Sequence, residues 1–201
     1  MPYYGNGGVT VDASVTKEVK PDFIGLNAYC DLGNQSSRET AKAEADKLYM
    51  SIKNAVGTDG RIRRMGGVSI YPYYDATGTA TSSYSANLSI FIRITKPGAA
   101  QRISDAVEKE GCTVNWDVRL MDPQSFEMSV LDELSVRINK RKAIFEKLLN
   151  KKLTRINSAS LSTWADGYST YDPETNMVDA TTNLSITFDL GGRTTLPAPK
   201  G

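Results

Sequence analysis

The chain has 201 residues, 40% hydrophobic and 23% charged, which suffices for one large domain or two small intertwined ones and argues against wholesale disorder. Lys plus Arg number 24 against 23 for Asp plus Glu, and the net charge of +1 supplies no global attraction to nucleic acid or anionic lipid. Histidine is absent, which removes Ser-His-Asp and Cys-His nucleophilic sites, histidine-ligated zinc and a neutral-pH imidazole switch.

Catalysis would have to rest on carboxylates, lysine, tyrosine or an oxygen-held metal. No calcium-loop spacing or phosphate-cradling glycine loop organises them. Cys30 and Cys112 are far apart in sequence and form no disulfide framework. Two free thiols are expected, with one bridge as the alternative, because a chain of this length does not need a bridge. No stretch approaches the roughly 20 apolar residues that span a bilayer. Residues 1–8 lack a basic or apolar signal region, so the chain as given is expected in the cytoplasm. The alternative is the periplasm or cell envelope after removal of a signal peptide.

Residues 9–19 alternate in part and are rich in Val and Thr, which predicts a strand. Pro21 cannot donate to a ladder and marks the turn into a second strand of Phe23, Ile24, Leu26, Ala28 and Cys30, ending near Gly33. Ser36 or Ser37 caps a helix whose first turn holds Glu39, a carboxylate that suits the dipole. Ala41, Ala45, Leu48, Ile52 and Val56 recur at helical spacing, and Gly57 to Gly60 stop the helix. Residues 61–75 and 82–95 read as a hairpin. In its second arm Tyr84, Ala86, Leu88, Ile90, Ile92 and Ile94 alternate without a break.

Pro97 opens a short helix through Glu110, with Ile103, Ala106 and Val107 facing inward. A strand over 113–121 follows, with Val114, Trp116, Val118 and Leu120 alternating. Asp122 as cap and Pro123 at the first helical position then start the longest helix, which reaches Leu149 or Leu153. Its apolar side includes Leu134, Ile138, Phe145, Leu148 and Leu149. Residues 154–166 and 178–190 form a final hairpin.

The two hairpins resemble each other. Tyr71-Pro72-Tyr73-Tyr74-Asp75 parallels Tyr168-Ser169-Thr170-Tyr171-Asp172, and Ala86-Asn87-Leu88-Ser89-Ile90 parallels Thr182-Asn183-Leu184-Ser185-Ile186. The reading is an internal duplication in an α+β fold: two βαββ-like units, each an antiparallel sheet covered by a helix, plus an N-terminal strand. Residues 1–96 then hold the N-terminal strand and first unit, 97–111 a connecting helix, 112–190 the second unit and 191–201 a C-terminal tail.

Several features together resemble the SIMPL (DUF541) family, which includes outer-membrane-associated or periplasmic antigens of bacteria. They are Pro21-Asp22 before the apolar strand, the helix with Ala41, Ala43 and Ala45, and Val68 to Asp75 with its Pro-Tyr-Tyr-Asp. Tyr84-Ser85-Ala86 opening a strand, and Ala106 to Leu120 with Glu110-Gly111-Cys112, complete the set. The resemblance covers roughly residues 9–190. It departs at Arg137 to Leu153, which is Lys- and Leu-rich where the family carries Lys-Ala pairs. The resemblance implies an envelope or scaffold protein able to form large ring or channel-like oligomers. It carries over no catalytic residue.

Three groups of residues are candidates. Arg137, Lys140, Arg141, Lys142, Lys147, Lys151, Lys152 and Arg155 surround the single acid Glu146 and form either an anion-binding surface or a solvated helix end favoured by the dipole. Tyr71, Tyr73, Tyr74, Tyr168 and Tyr171 form an interface, a platform that stacks on a sugar or base, or cross-strand packing, and Tyr3 and Tyr4 join the interface reading. Asp75 and Asp172, with Asp166 and Glu174 nearby, form a glycosidase-like acid pair, an oxygen-ligand metal site or ordinary turns. No catalytic, cofactor-binding or metal-ligating residue is assigned, and no cofactor is expected. The expected function is a non-enzymatic, self-associating structural protein whose partner is itself, in a ring, channel or cage. The alternatives are a module binding nucleic acid or anionic lipid through helix 137–155, and a carboxylate hydrolase.

Overall fold

The structure, a computed structural model, describes residues 8–74, 76–167 and 170–190, without the side chains of 80–82. In chain order the elements are β1 (Gly8–Val19), β2 (Phe23–Gln35), α1 (Arg38–Val56), β3 (Gly60–Arg64), β4 (Ser69–Tyr74) and β5 (Ala80–Ile94). A 3-10 turn (Pro97–Ala99) leads into α2 (Ala100–Lys109), followed by β6 (Cys112–Arg119), α3 (Pro123–Leu149), β7 (Arg155–Ala165) and β8 (Val178–Asp189). This is an α+β fold with antiparallel sheets. The chain divides into a larger unit, Glu18–Met121 with Ala165–Asp179, and a smaller one built from the remaining residues.

The alternation in β5 makes it the centre of the larger unit's five-stranded sheet, ordered β3-β5-β2-β6. Leu26 lies opposite Ile92, Ala28 opposite Ile90 and Cys30 opposite Leu88, so both strands turn their apolar residues to one face. β3 and β4 pair in succession along the other edge of β5, where a single hairpin arm is expected from sequence. Gly66 at φ 86° lies between them, a left-handed turn that glycine adopts without strain.

The apolar face is covered by α1 and α2. Ser37 caps α1, its hydroxyl accepting from the Thr40 N–H at 3.1 Å. Gly57, at φ 57°, ends the helix with its N–H on the Lys53 carbonyl. Ala45, Ile52 and Val56 of α1 meet Ile103 and Val107 of α2 over Leu26, Ile90 and Ile92 of the sheet. Fully burying each large aliphatic side chain contributes about 1.5–3 kcal/mol.

Two expectations are corrected here. β6 belongs to this sheet, not to the second unit: it pairs antiparallel with β2, Val118 opposite Ile24 and Val114 opposite Ala28, extending the same apolar face. That register places Cys112 opposite Cys30, their Cα atoms 4.1 Å apart, and the two form a disulfide instead of remaining free thiols. The separation of 82 residues conceals this proximity, which only the strand pairing creates.

The smaller unit has a three-stranded sheet ordered β1-β8-β7. β1, expected in the first unit, instead lines up against β8, with Thr10 bonded to Thr187 at 3.0 Å and Thr16 to Thr181 at 2.8 Å. The boundaries at 96/97 and 111/112 therefore do not follow the sheets. Both units nevertheless share one arrangement. β3-β5-β2 with α1 corresponds to β7-β8-β1 with α3, β1 standing where the sequence pattern put β6.

α3 begins as expected, with Asp122 accepting the Gln124 N–H at 3.2 Å and Pro123 in the first turn. Phe126, Val130, Leu134 and Ile138, spaced four apart, bury one stripe. Val11, Ala13 and Val15 of β1 and Val178, Ala180, Thr182 and Phe188 of β8 are the sheet's buried residues. Leu148, expected to pack inward, is 75% exposed, and Leu149 is exposed as well. The helix end is closed instead by Leu153, fully buried, whose N–H bonds Glu146 Oε1 at 2.8 Å.

Candidate functional site

The three residue groups meet different fates. Tyr71 and Tyr74 are each 58% exposed on β4, and Tyr73 beside them is exposed too. A register shift between Pro72 and Tyr74 offsets the pairing with β5 there. Tyr171 does not join them. It is only 8% exposed, in the core of the larger unit, edge-on to Trp116 with ring centroids 4.8 Å apart. Its hydroxyl donates to Asn176 Oδ1 at 3.1 Å, and burial, aided by the Asp172 charge, pushes its pKa up to about 12. Tyr171 is therefore a packing residue, not an interface residue. The parallel with Tyr74 reflects composition, since Tyr74 lies in a strand and Tyr171 in the segment between β7 and β8. Tyr3, Tyr4, Asp75 and Tyr168 lie outside the described residues.

Asp172 serves a turn. It accepts from Thr175 Oγ1 at 2.7 Å and from the Glu174 N–H at 2.9 Å, and these bonds, the threonine hydroxyl first, hold its carboxyl below the usual range. Among the described residues no group of three or more Cys, Asp or Glu is arranged to hold a metal ion.

The basic helix end is largely engaged in internal contacts. Arg137 donates to the Ser14 carbonyl at 2.6 Å and to Glu133, and Arg141 donates to the Asp12 carbonyl. Glu146 accepts the Leu153 N–H and ion-pairs with Lys152 and Lys142, and its carboxyl is held low mainly by that backbone bond. Lys142 also lies over the Phe188 ring, and Arg155 pairs with Asp189 at 3.9 Å. Lys140, Lys147 and Lys151 remain exposed and spread over three turns of chain.

These contacts separate the two edges of the smaller sheet. Asp12 and Ser14 are alternate residues of β1, so their carbonyls point the same way, and α3 arginines occupy both. β7, at the other edge, has no strand beyond it among the described residues. After Arg155 it contains no charge and no proline, so it lacks the usual devices that blunt an edge. Ile156 is 55% exposed, Leu161 41% and Trp164 50%. Thr163 faces α3, donating to Glu127 at 2.8 Å, so Leu161 and Ala159 lie on the helix side of the sheet yet remain exposed. α3 reaches β7 through Glu127 and leaves Ala159 and Leu161 exposed. In the larger unit the edge at β6 is different: buried Gly167 packs so close to Val118 that a Cβ would come within 2.5 Å of it.

Sequence reading missed the β7 edge. Its one local signal is ten uncharged residues in a strand without alternation, which pattern analysis treats as weak. No helix of the described residues is long and apolar enough to cross a membrane. No curated protein gives a significant match to this chain. A family model described as SIMPL, protein of unknown function (DUF541), matches residues 9–195, nearly the whole length, and the chain belongs to that family.

Proposed function

We propose that the protein is a non-catalytic structural subunit that self-associates, and that the β7 edge is where a second copy joins. The observation that carries this reading is the contrast between edges: β1 is blocked by Arg137 and Arg141, whereas β7 is long, carries no charge after Arg155 and exposes Ile156, Leu161 and Trp164. A copy adding antiparallel to β7 would satisfy its outer N–H and C=O groups. The two-fold axis then stands perpendicular to the sheet, both α3 helices lie on one face, and Ala159 and Leu161 become enclosed.

Backbone hydrogen bonds contribute about 1 kcal/mol each, and association costs about 4–15 kcal/mol. The strand's 11 residues therefore bring the pair near balance, and the side chains decide whether it holds. Ile156, Leu161 and Trp164 are about half exposed, so burying the remainder adds about 0.7–1.5 kcal/mol apiece. One isologous contact closes a dimer, whereas a ring, channel or cage requires a second surface. Exposed Tyr71, Tyr73 and Tyr74 on β4 supply the aromatic anchors for one. The Cys30–Cys112 bridge favours an oxidising compartment, the periplasm or cell envelope, over the cytoplasm.

The test is size-exclusion chromatography with light scattering at micromolar concentration. Wild type should elute as a multiple of the chain mass, and Ile156→Lys/Leu161→Lys should reduce the mass without lowering helix content. A monomeric wild type refutes the reading.

A further inference from the structure

The second face of the larger sheet, turned away from α1 and α2, holds a different surface. β2, β3, β5 and β6 send alternate residues there, and they line an open depression of about 660 Å³. Four arginines converge on it, Arg61 and Arg63 from β3, Arg93 from β5 and Arg119 from β6, with the rings of Phe23 and Phe91 between them. Its only acid, Asp117, is held by Arg119 through two bonds of 2.7 Å. Among the described residues no carboxylate pairs with Arg61, Arg63 or Arg93.

Such a surface is unfavourable by itself. Arg61 stands directly opposite Arg93, and like charges at opposed cross-strand positions destabilise a sheet. The aromatic rings hold three of the four guanidiniums in place. Arg63 lies 5.0 Å from the Phe91 centroid, Arg93 5.4 Å and Arg119 5.6 Å from that of Phe23. The two rings are stacked, 6.3 Å between centroids, over Gly25, where a Cβ would lie 2.9 Å from Phe91 Cε2 and 3.0 Å from Phe23 Cε1. The glycine provides the floor on which they rest. Packing that fixes the guanidiniums also lowers the entropy lost when they bind, and each planar fork matches a phosphate in two-bond geometry. The volume is that of an ordinary small-ligand site.

We propose that this face binds a ligand carrying two or more phosphate groups. Phosphates neutralise opposed arginines with the most charge per unit volume. Both a free polyphosphate and a phosphate-rich lipid headgroup offer this chemistry.

The experiment titrates the full chain calorimetrically with inorganic tripolyphosphate at low salt, with citrate as a carboxylate comparator. In parallel the chain is sedimented with phosphatidylcholine vesicles with and without phosphatidylinositol bisphosphate. Arg61→Gln/Arg93→Gln should weaken binding about tenfold or more, since bonds to charged groups contribute about 1.5–3 kcal/mol. Lys140→Gln/Lys147→Gln/Lys151→Gln on α3 should leave it unchanged. Arg63→Gln gives a second reading if the double variant has a lowered thermal midpoint. Tripolyphosphate binding with this variant pattern supports a free ligand, and vesicle binding alone with the same pattern supports a headgroup. Citrate binding as tightly as tripolyphosphate, equal loss in the α3 variant, or no binding to either phosphate probe overturns the proposal. Because the arginine face and β7 lie in different units, failure here leaves the oligomeric state untouched.

Discussion

Reducing the Cys30–Cys112 bond should remove much of the larger unit's stability. The bond closes a loop of 82 residues, and the chain-entropy relation gives about 4.5 kcal/mol for a crosslink of that length. This is a large share of the 5–15 kcal/mol typical of a domain. With a urea dependence of about 1–3 kcal/mol per molar, the midpoint should fall by roughly 1.5–4.5 M. The assay follows Trp116, which packs on Tyr171 in the same unit, in a Trp164→Phe background that leaves it the sole indole. Oxidised chain, reduced chain and Cys30→Ala/Cys112→Ala are unfolded side by side. The reduced chain isolates the crosslink, and the double alanine variant should track it within about 1–2 kcal/mol, since both cysteines are buried and some packing is lost too. Equal midpoints for oxidised and reduced chains, or two titratable thiols in the unreduced unfolded chain, would refute the reasoning.

Gly167→Ala should destabilise the larger unit by about 1–3 kcal/mol, because the added methyl meets the Val118 backbone and not a flexible side-chain end, and urea unfolding followed at Trp116 reads this. Thr182→Val should weaken the smaller unit by about 0.5–1.5 kcal/mol, since fully buried Thr182 gives up its 2.9 Å bond to Thr163, which keeps Glu127 as partner; circular dichroism melting checks it. The carboxyls of Asp59, Glu133 and Glu146 are held low, chiefly by Lys96, Arg137 and the Leu153 N–H respectively, so their contribution is complete above the ordinary values of 3.8 and 4.5 and disappears as pH falls below them. The thermal midpoint should stay flat from neutrality to about pH 5 and drop below, with no histidine step in between. Tyr171, raised from 10.0 to about 12, contributes stability that is present below its unfolded value and lost as pH rises through the folded one. Ultraviolet titration of Tyr171→Phe should lose the late-ionising phenol.

Local signals were legible in the sequence where the physics is local. Ser37 and Asp122 announced their helices because a cap needs only the next few N–H groups. The alternation from Ala86 to Ile94 fixed which face of β5 is buried, because side chains alternate with period two. Pairing was not legible. Nothing within 112–119 states that its partner is β2, so the sheet membership of β6 and the disulfide were hidden together. Nothing within 9–19 points to β8 across more than 160 residues of chain. Tyr171 looked like Tyr74 because composition ignores depth, yet one is core and the other surface. No sequence motif singles out Arg61, Arg63 and Arg93. Their meeting over Phe23 and Phe91 depends on cross-strand register, which sequence alone does not supply.

Self-pairing of β7 is tested most directly by single cysteines placed in turn at Ser158, Ala159, Ser160, Leu161 and Ser162, with the native pair left bridged. Antiparallel pairing about a two-fold axis sets one position of the strand against its own copy. Mild oxidation should therefore give a covalent dimer whose yield peaks at one of these residues and falls on either side. Uniformly absent or position-independent crosslinking, with a monomeric mass in light scattering, would contradict the account.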